Sequence, residues 1–121
     1  MLDGLPILIV EDQPLIALEL CEIVESFDGR VVGPIASVAE ALVRVEQERI
    51  AGAILDANLL DRDVTPLALH LIDRGTPIVI YTATGLPEEL AQAHPDLPMI
   101  LKPARAITVL AILVDRIRAG E

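Results

Sequence analysis

Gly52-Ala-Ile-Leu-Asp56 is apolar at every position until it ends on a carboxylate. A strand with one wet face alternates apolar and polar residues, so an unbroken run marks a strand covered on both faces. Outward from it the chain repeats the theme. Ile7–Val10 and Pro77–Thr82 are runs of the same kind, Pro98–Leu101 is a shorter one, and Arg30–Gly33 is a more polar one. The segments between them carry helical spacing instead. Ile16, Leu20, Ile23, Val24 and Phe27 form one stripe, with Glu19, Glu22 and Glu25 off it. Ser37 and Glu40 make a capping-box pattern at the start of a second stripe of Val38, Ala41, Leu42 and Val45. A third helix is expected from Thr65 to Arg74, with Thr65 as cap, Pro66 in the first turn and Gly75 as stop. A short fourth is expected from Pro87 to His94, in a stretch broken up by Pro87, Pro95 and Pro98. Ala104 to Arg118 makes the fifth.

Strand alternating with helix five times predicts parallel βαβ units with right-handed crossovers. The expected class is α/β: one domain over residues 1–121, a five-stranded doubly wound parallel sheet of flavodoxin-like (βα)5 type, strand order 2-1-3-4-5. Composition agrees. A chain of 121 residues, 53% hydrophobic, can bury a core, and with 2% aromatics that core must be Leu, Ile, Val and Ala. The single cysteine, Cys21, lies in an apolar run and reads as a small buried hydrophobe. One cysteine excludes an intrachain disulfide and a cysteine-built zinc cluster. A net charge of −10 presents no basic face to nucleic acid and suits cationic ligands or protein partners. No apolar run reaches the length of a membrane span and no signal-type segment opens the chain, so the expected location is cytoplasmic.

In doubly wound sheets ligands bind beyond the carboxyl ends of the strands. At that edge the first expected strand delivers Glu11 and Asp12, the third Asp56, the fourth Thr82 and the fifth Lys102. A lone acid after a strand is most often a helix cap or a solvated loop residue. Three carboxylates, a hydroxyl and an ammonium at one edge are harder to reach by chance. Clustered carboxylates repel, by about 4 kcal/mol per pair at 4 Å with an effective dielectric of 20. A cation therefore belongs among them. Mg²⁺ fits, since it takes a few carboxylate oxygens, keeps several waters and bridges to phosphate. Aspartate forms acyl phosphates, and phosphoryl transfer needs a nucleophile in line and positive charge around the transferred group. Asp56 can be the nucleophile, Mg²⁺ and Lys102 the charge, and Thr82 a hydroxyl for one phosphoryl oxygen.

The runs ILIVED (residues 7–12), AILDANL (53–59), VIYTA (79–83) and ILKPA (100–104) resemble the CheY-like receiver domains of bacterial response regulators, and the resemblance covers essentially the whole chain. It implies that Asp56 is the phosphoacceptor and that Glu11 and Asp12 hold Mg²⁺ with it, one of them through water. It implies that Asn58 lends its backbone carbonyl to the metal, that Thr82 is the switch hydroxyl and that Lys102 pairs with phosphate. The Lys102–Pro103 bond would be cis. The resemblance further implies a regulatory domain rather than a turnover enzyme, phosphorylated by a histidine kinase or phosphotransfer protein and signalling to a downstream protein partner. VVGPIASVAEAL (31–42) and YTATG (81–85) look like a stand-alone receiver group common in alphaproteobacteria that carries a Phe-Ala-Thr-Gly-type signature, although here Ala83 follows Thr82 and Gly85 comes later. The receiver family often places an aromatic switch residue three positions before the lysine. Here that switch position is Met99, which reads as core, while Tyr81 should point away from Thr82 along its strand.

Asp61 and Asp63, in the loop after the acceptor, read as solvated turn residues, and His70 and His94 lack any supporting constellation. Gly29, Gly52 and Gly75 read as helix stops, and no G-x-G-x-x-G or Walker-type loop is present. Ile107, Val109, Leu110, Ile112, Leu113, Val114 and Ile117 cover more than one stripe of the last helix. That surplus suggests a homodimer, or a partner, through this helix. Two other functions compete. A pseudo-receiver scaffold that is never phosphorylated would have no need of the intact set of five residues. An aspartyl-phosphate hydrolase usually carries an Asp-x-Asp pair after its first strand and a cap insertion, and this chain has neither.

Overall fold

The structure, a computed structural model, describes residues 1–120, and these alternate strand and helix five times. The elements are β1 (Pro6–Val10), α1 (Pro14–Ser26), β2 (Arg30–Ile35), α2 (Val38–Gln47), β3 (Gly52–Leu55), α3 (Thr65–Asp73), β4 (Ile78–Thr82), α4 (Glu88–Ala93), β5 (Met99–Leu101) and α5 (Ala106–Ala119). The five strands form one parallel sheet in the order β2-β1-β3-β4-β5, as the alternation predicts. Because successive side chains leave a strand on opposite faces, the apolar runs feed two cores. Leu8, Val10, Ala53, Leu55, Ile78 and Ile80 pack under α2, α3 and α4. Ile7, Ile9, Ile54, Val79 and Tyr81 pack under α1 and α5. Every residue of β3 and β4 is buried, which is why their sequences do not alternate.

Several local expectations change. β2 does not stop at Gly33 but runs through a cis Gly33–Pro34 bond to Ile35. Its pairing with β1 shifts from Leu8↔Val32 to Val10↔Ile35, so one extra residue bulges out. An edge strand tolerates this proline because one side of its ladder is open. Gly33 is required there: its φ is +112°, and a Cβ would lie 2.7 Å from the Ile9 carbonyl oxygen. Gly75 does stop α3, with φ +75° and its N–H donating to the Ile72 carbonyl. Gly29 and Gly52 are not helix stops. The positive φ beside Gly29 belongs to Asp28, and a Cβ at Gly29 would lie 2.7 Å from Leu2 and Val24. A Cβ on Gly52 would lie 2.9 Å from Ile117, so this glycine lets α5 pack closely on β3.

Thr65 is not the cap of α3 but lies in its first turn. Asp63 Oδ1 accepts the Thr65 N–H at 2.8 Å and takes the capping part, as Asx turns do. Asp61 is no free turn residue either. Its two carboxylate oxygens accept the N–H groups of Val38 at 2.8 Å and Ala39 at 3.0 Å, capping α2 beside Ser37.

The last elements differ most. Met99 is not core: it is 39% exposed and Leu101 is 56% exposed, while Ile100 between them packs inward. β5 is an edge strand, and the six-residue α4 packs on α3 and sends Leu90 into the α2–α3 core. The surplus on α5 is mostly internal. Val109, Leu110, Leu113 and Val114 are buried and Ile112 and Ile117 half-buried against the chain's own core, leaving Ile107 at 36% exposure. Cys21 is half-buried at the edge of the same core. Among the described residues no helix is long and apolar enough to cross a membrane.

Candidate functional site

The bulge in β2 sits beside the end of β1, and Ile35, just past it, accepts the Glu11 backbone N–H at 2.9 Å. That contact and the end of β1 deliver Glu11 into a buried position, only 3% exposed, with Asp12 half-buried next to it. The Asp56 N–H bonds to the Val10 carbonyl at 2.9 Å, so β3 brings its carboxylate alongside. Oxygens of Glu11, Asp12 and Asp56 all lie within 4.8 Å of one another. Lys102 leaves β5 with its N–H on the Thr82 carbonyl and continues into a cis Lys102–Pro103 bond, as the resemblance implies. Its ammonium is 2.9 Å from Glu11 Oε1 and 3.3 Å from Asp56 Oδ2, and it donates to Gln13 Oε1 at 3.1 Å.

The charges decide what this pocket can hold. Burial pushes the Glu11 carboxyl from its ordinary 4.5 up to about 7; Lys102 pulls it down and Asp56 adds to the rise. Burial works against the Lys102 charge, but Glu11 and Asp56 outweigh it and hold the ammonium above its ordinary range. One ammonium does not balance three carboxylates. Glu11 Oε1 is fully buried and makes no hydrogen bond beyond its ion-pair contact with Lys102. An all-oxygen set of three carboxylates facing a single ammonium suits a hard divalent cation such as Mg²⁺.

Thr82, fully buried at the end of β4, accepts the Thr84 N–H at 3.1 Å, and the two threonine hydroxyls are 3.3 Å apart. The Asn58 side chain donates to Thr84 Oγ1 at 2.8 Å, and its N–H faces Asp56 Oδ1 at 3.5 Å. Tyr81 points to the opposite face, as alternation predicts, where its hydroxyl donates to the Ala104 carbonyl and accepts the Ala104 N–H. The structure thus brings Glu11, Asp12, Asp56 and Lys102 together and places Thr82 and Asn58 at the same edge. Met99 stands on the outer face of β5. His70 lies 3.1 Å from Glu46 between α2 and α3, and His94 ends α4. Sequence reasoning missed Gln13 and Thr84. The signal for each was its place two residues past a site residue, Gln13 after Glu11 and Thr84 after Thr82.

A parallel sheet in the order 2-1-3-4-5 with acids and a lysine at its carboxyl edge is the architecture of a receiver-type signalling domain. No protein-family model matches the sequence, and no curated protein matches it. Solved structures do. The chain is similar to SdrG from Sphingomonas melonis Fr1, at 37% identity over 94% of this chain and 99% of that one, with a TM-score of 0.76. The chain belongs to the CheY-like response regulator receiver domains. Two more distant structures share the fold. One is the CheY-like receiver domain protein of Methanospirillum hungatei JF-1, at 23% identity over 97% of this chain and 96% of that one, TM-score 0.83. The other is the receiver domain of the sensor histidine kinase PA1611 from Pseudomonas aeruginosa PAO1, described with magnesium coordinated in its active-site cleft. It is 22% identical over 95% of this chain and 98% of that one, TM-score 0.76.

Proposed function

We propose that Asp56 accepts a phosphoryl group from a histidine kinase or phosphotransfer protein in a Mg²⁺-dependent reaction, and that the phosphorylated domain signals by changing its protein contacts. The observation that carries this reading is the Lys102 ammonium, 2.9 Å from Glu11 and 3.3 Å from Asp56 inside a cluster of three carboxylates. Glu11, Asp12, Asp56 and the backbone carbonyl of Asn58 would hold Mg²⁺, which when bound offsets the charge of the incoming phosphoryl group. The magnesium described in the active-site cleft of the Pseudomonas aeruginosa receiver supports Mg²⁺ as the cation.

The Asp56 carboxylate supplies the electron pair of a new P–O bond as the P–N bond to the donor imidazole breaks, and the imidazole nitrogen keeps that pair. Lys102 exchanges its contact with Asp56 for one with a phosphoryl oxygen, a charge-assisted hydrogen bond. The Thr82 hydroxyl takes another oxygen. Thr82 pairs with Leu101 across the β4–β5 ladder, so its movement reaches the exposed face of β5. We place the output surface there, on α4, β5 and α5, facing a downstream protein or a second copy of the chain. The domain changes only its own phosphorylation state. Its place of work is the cytoplasm, with protein rather than nucleic acid as partner, in keeping with a net charge of −10.

Incubation with acetyl phosphate or phosphoramidate and Mg²⁺, followed by intact mass, tests the reading. One phosphoryl group labile to hydroxylamine is expected on the wild type and none on Asp56→Ala. Equal labelling of the variant removes Asp56 from the role. Steady turnover of small phosphate esters would point to a hydrolase instead.

A further inference from the structure

A threonine hydroxyl has one proton to give and two lone pairs to fill. On Thr82 one lone pair takes the Thr84 backbone N–H at 3.1 Å. The Thr84 hydroxyl stands 3.3 Å from the same oxygen. The Asn58 amide nitrogen, which only donates, reaches Thr84 Oγ1 at 2.8 Å. With that donor on Thr84, the Thr84 proton is free to pass onward to Thr82. In the arrangement where the Thr84 hydroxyl donates, the hydrogen bonds run one way, from Asn58 to Thr84 to Thr82. Both lone pairs of Thr82 are filled, and its own proton is left as the group to be given. Links that point the same way reinforce one another. We infer that Thr84, held by Asn58, is a positioning residue that orients the buried Thr82 hydroxyl to donate to a phosphoryl oxygen on Asp56.

This inference rests on the phosphoacceptor reading of Asp56 and adds a part to it. Thr84 and Asn58 are both exposed while Thr82 is buried, so the two outer residues are reachable by substitution without opening the core. A purely structural part for Thr84 would run through its backbone N–H, which Thr84→Val keeps.

The experiment measures the affinity of the full chain for beryllofluoride, a mimic of the phosphoryl group, with saturating Mg²⁺. It compares wild type, Thr84→Val, Thr84→Ser, Thr82→Ala and the Thr82→Ala/Thr84→Val double variant. Thr84→Val should bind about fivefold more weakly than wild type, the scale of one oriented hydrogen bond. Thr84→Ser should restore wild-type affinity. In the Thr82→Ala background the valine should cost nothing more, because the hydroxyl that it orients is gone. Wild-type affinity in Thr84→Val overturns the inference. So does a serine variant as weak as the valine one, or the same fivefold loss without Thr82. A wild type that binds no beryllofluoride overturns the phosphoacceptor reading itself.

Discussion

At Glu11, burial and the neighbouring Asp56 hold a proton on the carboxyl up to about pH 7, against the pull of Lys102. The unfolded chain gives that proton up near 4.5. Between those two values the native state binds more protons than the unfolded one, so this group's contribution to stability falls as pH rises. In chelator-treated protein, stability should therefore drop from about pH 5 to 7, and Glu11→Gln should flatten the slope in urea titrations. Mg²⁺ competes for the same oxygens. Its binding should release a proton near pH 6, seen as a buffer-dependent heat in calorimetry. It should also raise stability by about 2.7 kcal/mol at a hundredfold excess over its dissociation constant. A melting temperature indifferent to Mg²⁺ would count heavily against the metal site. Lys102 behaves differently, because its ammonium adds positive charge beside the cation. Lys102→Ala should keep or tighten Mg²⁺ binding while losing at least tenfold in beryllofluoride affinity, the scale of one charged hydrogen bond. If it loses Mg²⁺ as badly as Asp12→Ala, its assigned part is wrong. Glu11, Asp12, Asp56 and Lys102 were legible because strand ends alone place them. Gln13 and Thr84 were not, because their contacts depend on how two loops fold against each other, which periodicity does not encode.

The elements were legible where burial on both faces leaves its mark, as in β3 and β4. The run Pro98–Leu101 reads the same way, yet it lies at an edge with Met99 and Leu101 uncovered. An apolar run reports what a strand could bury; the neighbouring helix decides what it does bury, and α4 is too short and turned toward α3. The caps supplied by Asp61 and Asp63 were hidden for a similar reason, since a loop aspartate becomes a cap only when a helix start is brought to it. β2 offers a test at this scale. Its bulge lets Ile35 meet Glu11, and Gly33 makes the bulge possible. Gly33→Ala should cost several kcal/mol in urea unfolding, since a strained φ of this kind costs about 1–3 kcal/mol and the close contact with Ile9 adds to it. Gly75→Ala should cost less, about 1–2 kcal/mol, because its φ is left-handed but nothing lies within 4 Å. Gly33→Ala should also weaken Mg²⁺ binding through Glu11, which Gly75→Ala should leave alone. Equal effects of the two would separate the bulge from the site.

For the whole molecule the question is what the receiver touches when it signals. The chain's own core accounts for most of the apolar surplus on α5. On this side of the domain little apolar surface stays open: Met99 at 39% and Leu101 at 56% exposure on β5, and Ile107 at 36% on α5 beside α1, with Arg105 exposed next to Ile107. A stable interface buries about 1,200–2,000 Å² in total, far more than three partly exposed side chains supply. Two copies also carry −10 each, a repulsion that physiological salt screens only beyond about 8 Å. The unphosphorylated protein should therefore be a monomer at micromolar concentration. Beryllofluoride can change that only if the associated state prefers the activated conformation. The path for such a preference is short, because Thr82 and Leu101 are paired across the β4–β5 ladder. Light scattering with Mg²⁺ should show one mass without beryllofluoride and a larger average mass, or a captured partner, with it. Leu101→Asp should abolish the increase and leave the melting temperature nearly unchanged, since the side chain it replaces faces solvent. A protein that stays strictly monomeric in both states, and holds no partner through this face, would move the output surface elsewhere on the domain.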